Sequence, residues 1–270
     1  MIYRKLLCAV AAAAVCAATT SALAFDEAKY PDWKGKWDRV GPPRWVQGKD
    51  VAPLNAEYAA IFAKTTAEQK AGGFGWETSW MCMPPGMPRI MNAYEPMEIV
   101  ITPDTTHILI SHIHDNRRIF TDGRDWPKDL EPSYKGYSIG KWLDTDGDGR
   151  YDTLIVETRT MKGQRSYGTD GLPLAADNRT IVKERIYQDK TDPKFLLDEI
   201  TTFDDALTRP WTVTKKYEHD PKPPIGWIEE VCAEDNPHIR IGKDNYMLSA
   251  DGLLMPSKPN QAPPSFKYFK

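Results

Sequence analysis

Residues 143–153 read LDTDGDGRYDT, and their carboxylates are the clearest sign of chemistry in the chain. Asp144, Asp146 and Asp148 alternate, Gly149 follows, and Asp152 closes the run. With Asp144 as position 1 of a calcium loop, Asp146 falls at 3, Asp148 at 5, Arg150 at 7 through its carbonyl oxygen, and Asp152 at 9. Hard oxygens at alternating positions, with a glycine where the chain must curl, suit Ca2+. The run departs from a helix–loop–helix calcium hand, because Ile155 replaces the bidentate glutamate at position 12 and the flanks read as strands. Asp and Gly are also preferred in tight hairpin connections, so a solvated acidic turn is the alternative. Carboxylates at every second position repel one another without a cation, which favours calcium in a structural role.

A second group lies in THILISHIH and RRIFTDGRDWP, residues 106–114 and 117–127. Period-two alternation puts His112 and His114 on one strand face with Ile108 and Ile110, and His107 on the other. A histidine pair of this spacing can bind a metal or supply a general base. Surface or hydrogen-bonded histidines are the commoner outcome. Asp122-Gly123 reads as a turn, and Arg118 and Arg124 either pair with Asp122 or Glu157 or form a fork for a carboxylate or phenolate ligand. His112, His114, Arg118, Asp122 and Arg124 are thus the candidate catalytic set. Trp142, Arg209 and Trp211 are the candidate ligand-binding set, within an aromatic inventory that also includes Trp76, Trp80, Trp126 and Trp227. Aromatic side chains serve a barrel core equally well. Met81, Met83, Met87 and Met91 cluster, but intervening prolines break the spacing a copper(I) site needs, and packing explains them. Ser138 sits in a G-x-S-x-G match with no helix after it, which reads as coincidence.

Short β-branched and aromatic runs from Met97 onward must position these residues. MEIVIT, THILISHIH, RRIFT, YSIGKWL, TLIVETRT, TIVKERIYQ, FLLDEITTFD, WTVTKKYEH and GWIEEVCAE alternate with period two and are separated by turn signals. The pattern predicts an all-β domain, an antiparallel up-and-down barrel of lipocalin-like (calycin-like) type, since closure removes exposed strand edges. A β-sandwich is the alternative. One helix is predicted to start at Pro53, with Leu54, Tyr58, Ile61 and Phe62 on one face, and to end at Ala71-Gly72-Gly73. The predicted organisation is a signal peptide at 1–24, a Trp/Pro-rich segment with one helix at 25–96, the barrel at 97–250 and a Pro/aromatic tail at 251–270.

The first residues carry Arg4 and Lys5, an apolar run from Leu6 to Ala18, and small residues ending at Ala24. This is the pattern of an export signal cut after Ala24, which places the mature protein in the periplasm or outside the cell. Removing Arg4 and Lys5 takes the basic residues from 35 to 33 against 38 acidic ones, so the net charge moves from -3 to about -5. No basic patch interleaved with aromatics is present, which excludes nucleic acid as a partner. No later run is apolar and long enough to span a bilayer. Of 4 cysteines, Cys8 and Cys16 fall in the signal. Cys82 and Cys232 remain, and in an oxidising compartment they are expected to form one disulfide.

CMPPGMPRIM (82–91), EIVITP (98–103), RRIFTDGRDWPKD (117–129), YSIGKW (137–142), DTLIVET (152–158), LTRPWTV (207–213) and the closing EEVCAE-N segment (229–236) carry a resemblance in their order. The chain resembles a large family of secreted bacterial β-rich proteins common in proteobacteria. That resemblance covers most of the mature chain and implies a barrel-like domain with no activity to carry over. Many relatives join YSIGKW to DTLIVET by a short turn, so the acidic loop belongs to a subgroup. Three function classes follow. The first is a barrel binding a small hydrophobic or aromatic ligand, with no organic cofactor. The second is a cofactor-independent lyase or isomerase using a histidine base and an arginine. The third is a cell-envelope interaction protein with exposed apolar patches.

Overall fold

The computed structural model describes residues 25–46, 51–111, 115–222, 230–232, 234, 236–242 and 244–265. The expected export signal, Trp227, His112 and His114 lie outside them. Nine strands close a barrel: β1 (Lys36–Arg39), β2 (Met97–Ile101), β3 (Thr105–Ile110), β4 (Asp115–Phe120), β5 (Tyr137–Leu143), β6 (Thr153–Arg159), β7 (Ile181–Gln188), β8 (Phe195–Phe203) and β9 (Trp211–Asp220). A separate three-stranded sheet holds β10 (His238–Ile241), β11 (Asp244–Leu248) and β12 (Leu254–Pro256). The closed ring decides for the barrel over the sandwich.

Three expectations shift. An odd number of strands cannot alternate in direction all the way round a ring, so one contact must be parallel. It is β4 with β5, where Ile119 faces Ser138 and Phe120 faces Ile139, while every other contact in the ring is antiparallel. The closing strand is not GWIEEVCAE. Glu230 to Cys232 form no strand, and β1, a four-residue piece of the Trp/Pro-rich segment, bridges β2 and β9 instead. The barrel strands therefore run from Lys36 to Asp220, and the tail contributes β12 to the second sheet. The helix, α1 (Ala56–Lys70), starts later than Pro53 implied, because Asn55 is its cap and its side chain accepts from Tyr58 N at 3.0 Å.

Alternation sends Leu196, Asp198, Ile200 and Thr202 of β8 inward, with Val182, Glu184 and Ile186 of β7 and Trp211, Lys215 and Tyr217 of β9. A plug made by residues 87–93 fills the space between them. Met87, Ile90, Met91, Asn92 and Ala93 are all buried there. Gly86 turns the chain into the barrel with φ +65, and a Cβ at that position would lie 2.4 Å from Tyr134 O, so only glycine fits. Trp33, Trp37, Met97, Ile108, Ile119 and Leu154 complete the core.

Candidate functional site

The barrel interior is not an open cup. Arg117 of β4 meets Glu184 of β7 at 2.7 Å through Nη1, and its Nη2 donates to the other carboxylate oxygen and, at 2.9 Å, to Thr158 Oγ1. Ser138 and Thr158 hydroxyls share a bond of 2.8 Å beside it. Both members of the ion pair are buried. Lys215 of β9 donates to Asn92 Oδ1 at 2.7 Å and to the carbonyls of Arg44 and Trp45, and Tyr217 Oη donates to Met91 O. These bonds anchor the plug. Asp198 lies directly across the β8–β9 ladder from Lys215, fully buried, and neither of its oxygens has a hydrogen-bond partner. Burial, with Glu184 nearby, pushes its carboxyl well above the ordinary range. Burial also pulls Lys215 down to about 7, against the attraction of Asp198.

Glu184, Asp198 and Lys215 belong to no sequence motif singled out above, and Arg117 opens RRIFTDGRDWP without being a site candidate, yet each carries a readable signal. Each replaces an apolar residue at the inward parity of its strand: beside Ile119, between Val182 and Ile186, between Leu196 and Ile200, and between Val213 and Tyr217. A charge at such a position must find a partner inside.

The residues singled out from sequence sit elsewhere. Asp122 and Arg124 form an exposed pair within one turn, with Arg124 Nη2 at 2.7 Å from Asp122 Oδ2 and its guanidinium 3.9 Å over the Phe120 ring. Those hydrogen bonds from Arg124 hold Asp122 down to about 2. Arg118 is exposed on the outer face opposite His107, and Glu157 pairs with Arg159 and Lys183 instead. β3 spans Thr105–Ile110 and β4 starts at Asp115, and His112 and His114 lie outside the described residues between them. Trp142 is buried against Trp33 and donates to Thr106 Oγ1, while Trp211 is buried against Tyr167. Trp142 and Trp211 pack in the core and Arg209 faces solvent. Ser138 faces the interior beside Arg117, in no nucleophile turn.

The acidic loop joins β5 to β6 and is exposed. Asp144, Asp146 and Asp148 each offer an oxygen within 4.8 Å of the others. Asp144 accepts from Gly147 N at 2.6 Å and Gly149 N at 2.9 Å. Asp152 instead accepts from Thr145 N at 3.2 Å, and Arg150 N donates to Asp148 Oδ1 at 2.8 Å. Lys190 lies 2.9 Å from Asp146 and 3.3 Å from Asp152, and its ammonium holds Asp146 below the usual carboxylate range.

An apolar concavity lies outside the barrel, beside the Cys82–Cys232 disulfide, which joins positions 150 residues apart. It measures about 580 Å3 and is lined by Trp80, Met83, Pro84, Pro85, Tyr94 and Val231, with Ser79, Arg89 and Glu230 among its polar residues. Trp80 is 43% exposed and Val231 45%, which is unusual for such side chains side by side on one groove. Trp80 stacks on Phe74 at 5.5 Å, and His238 of β10 stands edge-on to Phe74 at 4.4 Å. Burial pushes His238 below the ordinary histidine range, so at neutral pH it packs as an uncharged ring. Asn236 donates to Trp80 O and, at 3.2 Å, to Cys82 Sγ, tying the second sheet to the groove. Below them a second buried pair forms the floor: Arg89 Nη1 lies 2.7 Å from both oxygens of Glu77 and 3.0 Å from Ser166 Oγ. Nothing in the residue spacing before Trp80 marked this groove, because its walls come from three distant segments. No model of a known protein family and no characterised protein matches the chain.

Proposed function

We propose that this chain is an exported barrel protein of the secreted bacterial family it resembles, and that it binds a small apolar or aromatic molecule. The binding site in this reading is the disulfide-rimmed groove and not the barrel mouth, which the plug fills. The observation that carries it is the combination of size and lining. A concavity of about 580 Å3 with apolar walls and a few convergent polar groups is what small-molecule sites usually present. Trp80 supplies a planar face, and Arg89, Tyr94 and Ser79 supply the polar end. The disulfide supports export, since such bonds persist in oxidising compartments. The lyase or isomerase alternative draws no support from Arg118 or Arg124, both of which face outward. Native mass spectrometry of the protein purified from its own compartment tests the reading. An organic mass on the wild type that is lost in Trp80→Ala supports it; bare protein in both overturns it.

The acidic loop supports a second, separate reading as a structural calcium site. Oxygens about 2.4 Å from one Ca2+ lie at most about 4.8 Å from one another, and those of Asp144, Asp146 and Asp148 meet that limit. Lys190 is the competing cation. Calcium is expected to raise the melting temperature and EDTA to lower it, with a larger calcium response in Lys190→Met. If Lys190 is itself the counter-ion, Lys190→Met only destabilises and calcium changes nothing.

A further inference from the structure

The floor of the disulfide groove carries a hydrogen-bond direction. Glu77 Oε1 accepts from Ser79 N at 2.6 Å, and both Glu77 oxygens accept from Arg89 Nη1 at 2.7 Å. Arg89 donates in turn through Nη2 to Ser79 Oγ at 3.1 Å. A guanidinium has donors and no acceptor, so the serine oxygen takes the acceptor role in that bond and its own proton stays available. Among the described residues no group accepts that proton. Ser166 Oγ also accepts from Arg89, but it is buried below the floor. Ser79 lines the groove and is held there as a donor, fixed at its backbone by Glu77 and at its oxygen by Arg89. Bonds in such a chain polarise one another, which strengthens the last donor.

Charge and shape narrow the ligand further. Arg89 is the one cation lining the groove among the described residues, and Glu77 cancels it, while Glu230 adds a carboxylate to the lining. An anion therefore meets no uncancelled positive charge there. Ser79 and Trp80 are consecutive residues of one 3-10 turn, Ser79–Met81, so donor and aromatic face come from neighbouring positions. Trp80 stacks on Phe74 and is still 43% exposed. A plain hydrocarbon resting against it would cover the Ser79 hydroxyl and leave its proton unmet, at a cost in free energy.

We propose that the groove selects an uncharged aromatic carbonyl compound, an aryl ketone or aldehyde, whose oxygen accepts from Ser79 Oγ while its ring lies against Trp80. This assignment rests on the groove being the binding site. A carbonyl oxygen offers two lone pairs and brings no proton that would need an acceptor of its own.

The test uses the full-length protein with 4-fluoroacetophenone as probe, followed by fluorine NMR. The comparisons are 4-ethylfluorobenzene, similar in shape without the carbonyl, and 4-fluorobenzoate, which carries a charge. Saturable binding of the ketone is expected, tighter than that of the benzoate. Ser79→Ala should weaken the ketone about fivefold and leave the hydrocarbon unchanged, whereas Ser79→Thr keeps the hydroxyl and should keep the affinity. Trp80→Ala should weaken both neutral probes. Three results would overturn the carbonyl assignment and leave the groove as a site: tighter binding of the benzoate, a Ser79→Ala effect absent or equal for both neutral probes, or a loss in Ser79→Thr as large as in Ser79→Ala. Binding that ignores Trp80→Ala, or no binding of any probe, would overturn the groove itself and the assignment with it.

Discussion

Two regions of this molecule use the same chemistry to different ends. In the barrel, Arg117 and Glu184 form a buried pair steadied by Thr158; under the disulfide groove, Arg89 and Glu77 form a buried pair steadied by Ser166 and Ser79. The first is sealed by the plug, with Met91 Sδ 3.5 Å from the guanidinium. The second lies beneath an opening flanked by Trp80 and Val231. What separates a structural ion pair from the floor of the proposed binding site is access, and access depends on where the chain places its plug.

The largest effect should come from breaking the sealed pair. Glu184→Gln leaves Arg117 charged and unpartnered in a dry interior and is expected to cost about 3–5 kcal/mol in denaturant unfolding. Asp122→Asn breaks an exposed, solvent-screened pair and should cost far less. Equal losses would show that the interior is wetter than the structure indicates. Next comes the open region. Trp80→Ala should lower stability by only about 1 kcal/mol, the scale of one aromatic contact, while weakening ligand binding tenfold or more, as central aromatic anchors do. Titration against the co-purified ligand, beside a melting curve, separates the two.

Stability also depends on pH, because two interior groups act in opposite senses. Asp198 has a raised folded value, so the folded state holds its proton more tightly than the unfolded chain. Stability from this group is full below 3.8 and falls as pH rises through the folded value. Lys215 is lowered to about 7 from 10.5, so the unfolded chain binds more protons between those values, and stability rises with pH across that window. Asp198→Asn should therefore flatten the decline above 3.8 while leaving the rise above 7. Unfolding free energies at pH 5, 7 and 9 check both; an unchanged decline would contradict the account of Asp198.

Much of the barrel was legible in the sequence because alternation is a local property, and eight of the nine expected strands overlap observed barrel strands. Alternation carries no direction, so the parallel β4–β5 contact was not legible, and KWDR is too short to stand out as the closing strand. The candidate site fared worse for a related reason. DGR and HxH draw the eye as motifs, but the DGR charges pair with each other in water. Arg117 in NRRIF and Lys215 in TKKYE look unremarkable until strand parity places them inside. The groove could not be read at all, since Trp80, Tyr94 and Val231 meet only through folding and one disulfide. Cys82 and Cys232 were the one trace of it.

The most direct measurement is a crystal structure of the protein with a co-purified or soaked small aromatic molecule. Density between Trp80, Met83, Tyr94 and Val231, with Met91 still seated against Arg117, is the predicted result. Density inside the barrel with residues 87–93 displaced would contradict the account, because the plug would then be a gate and the groove a bystander.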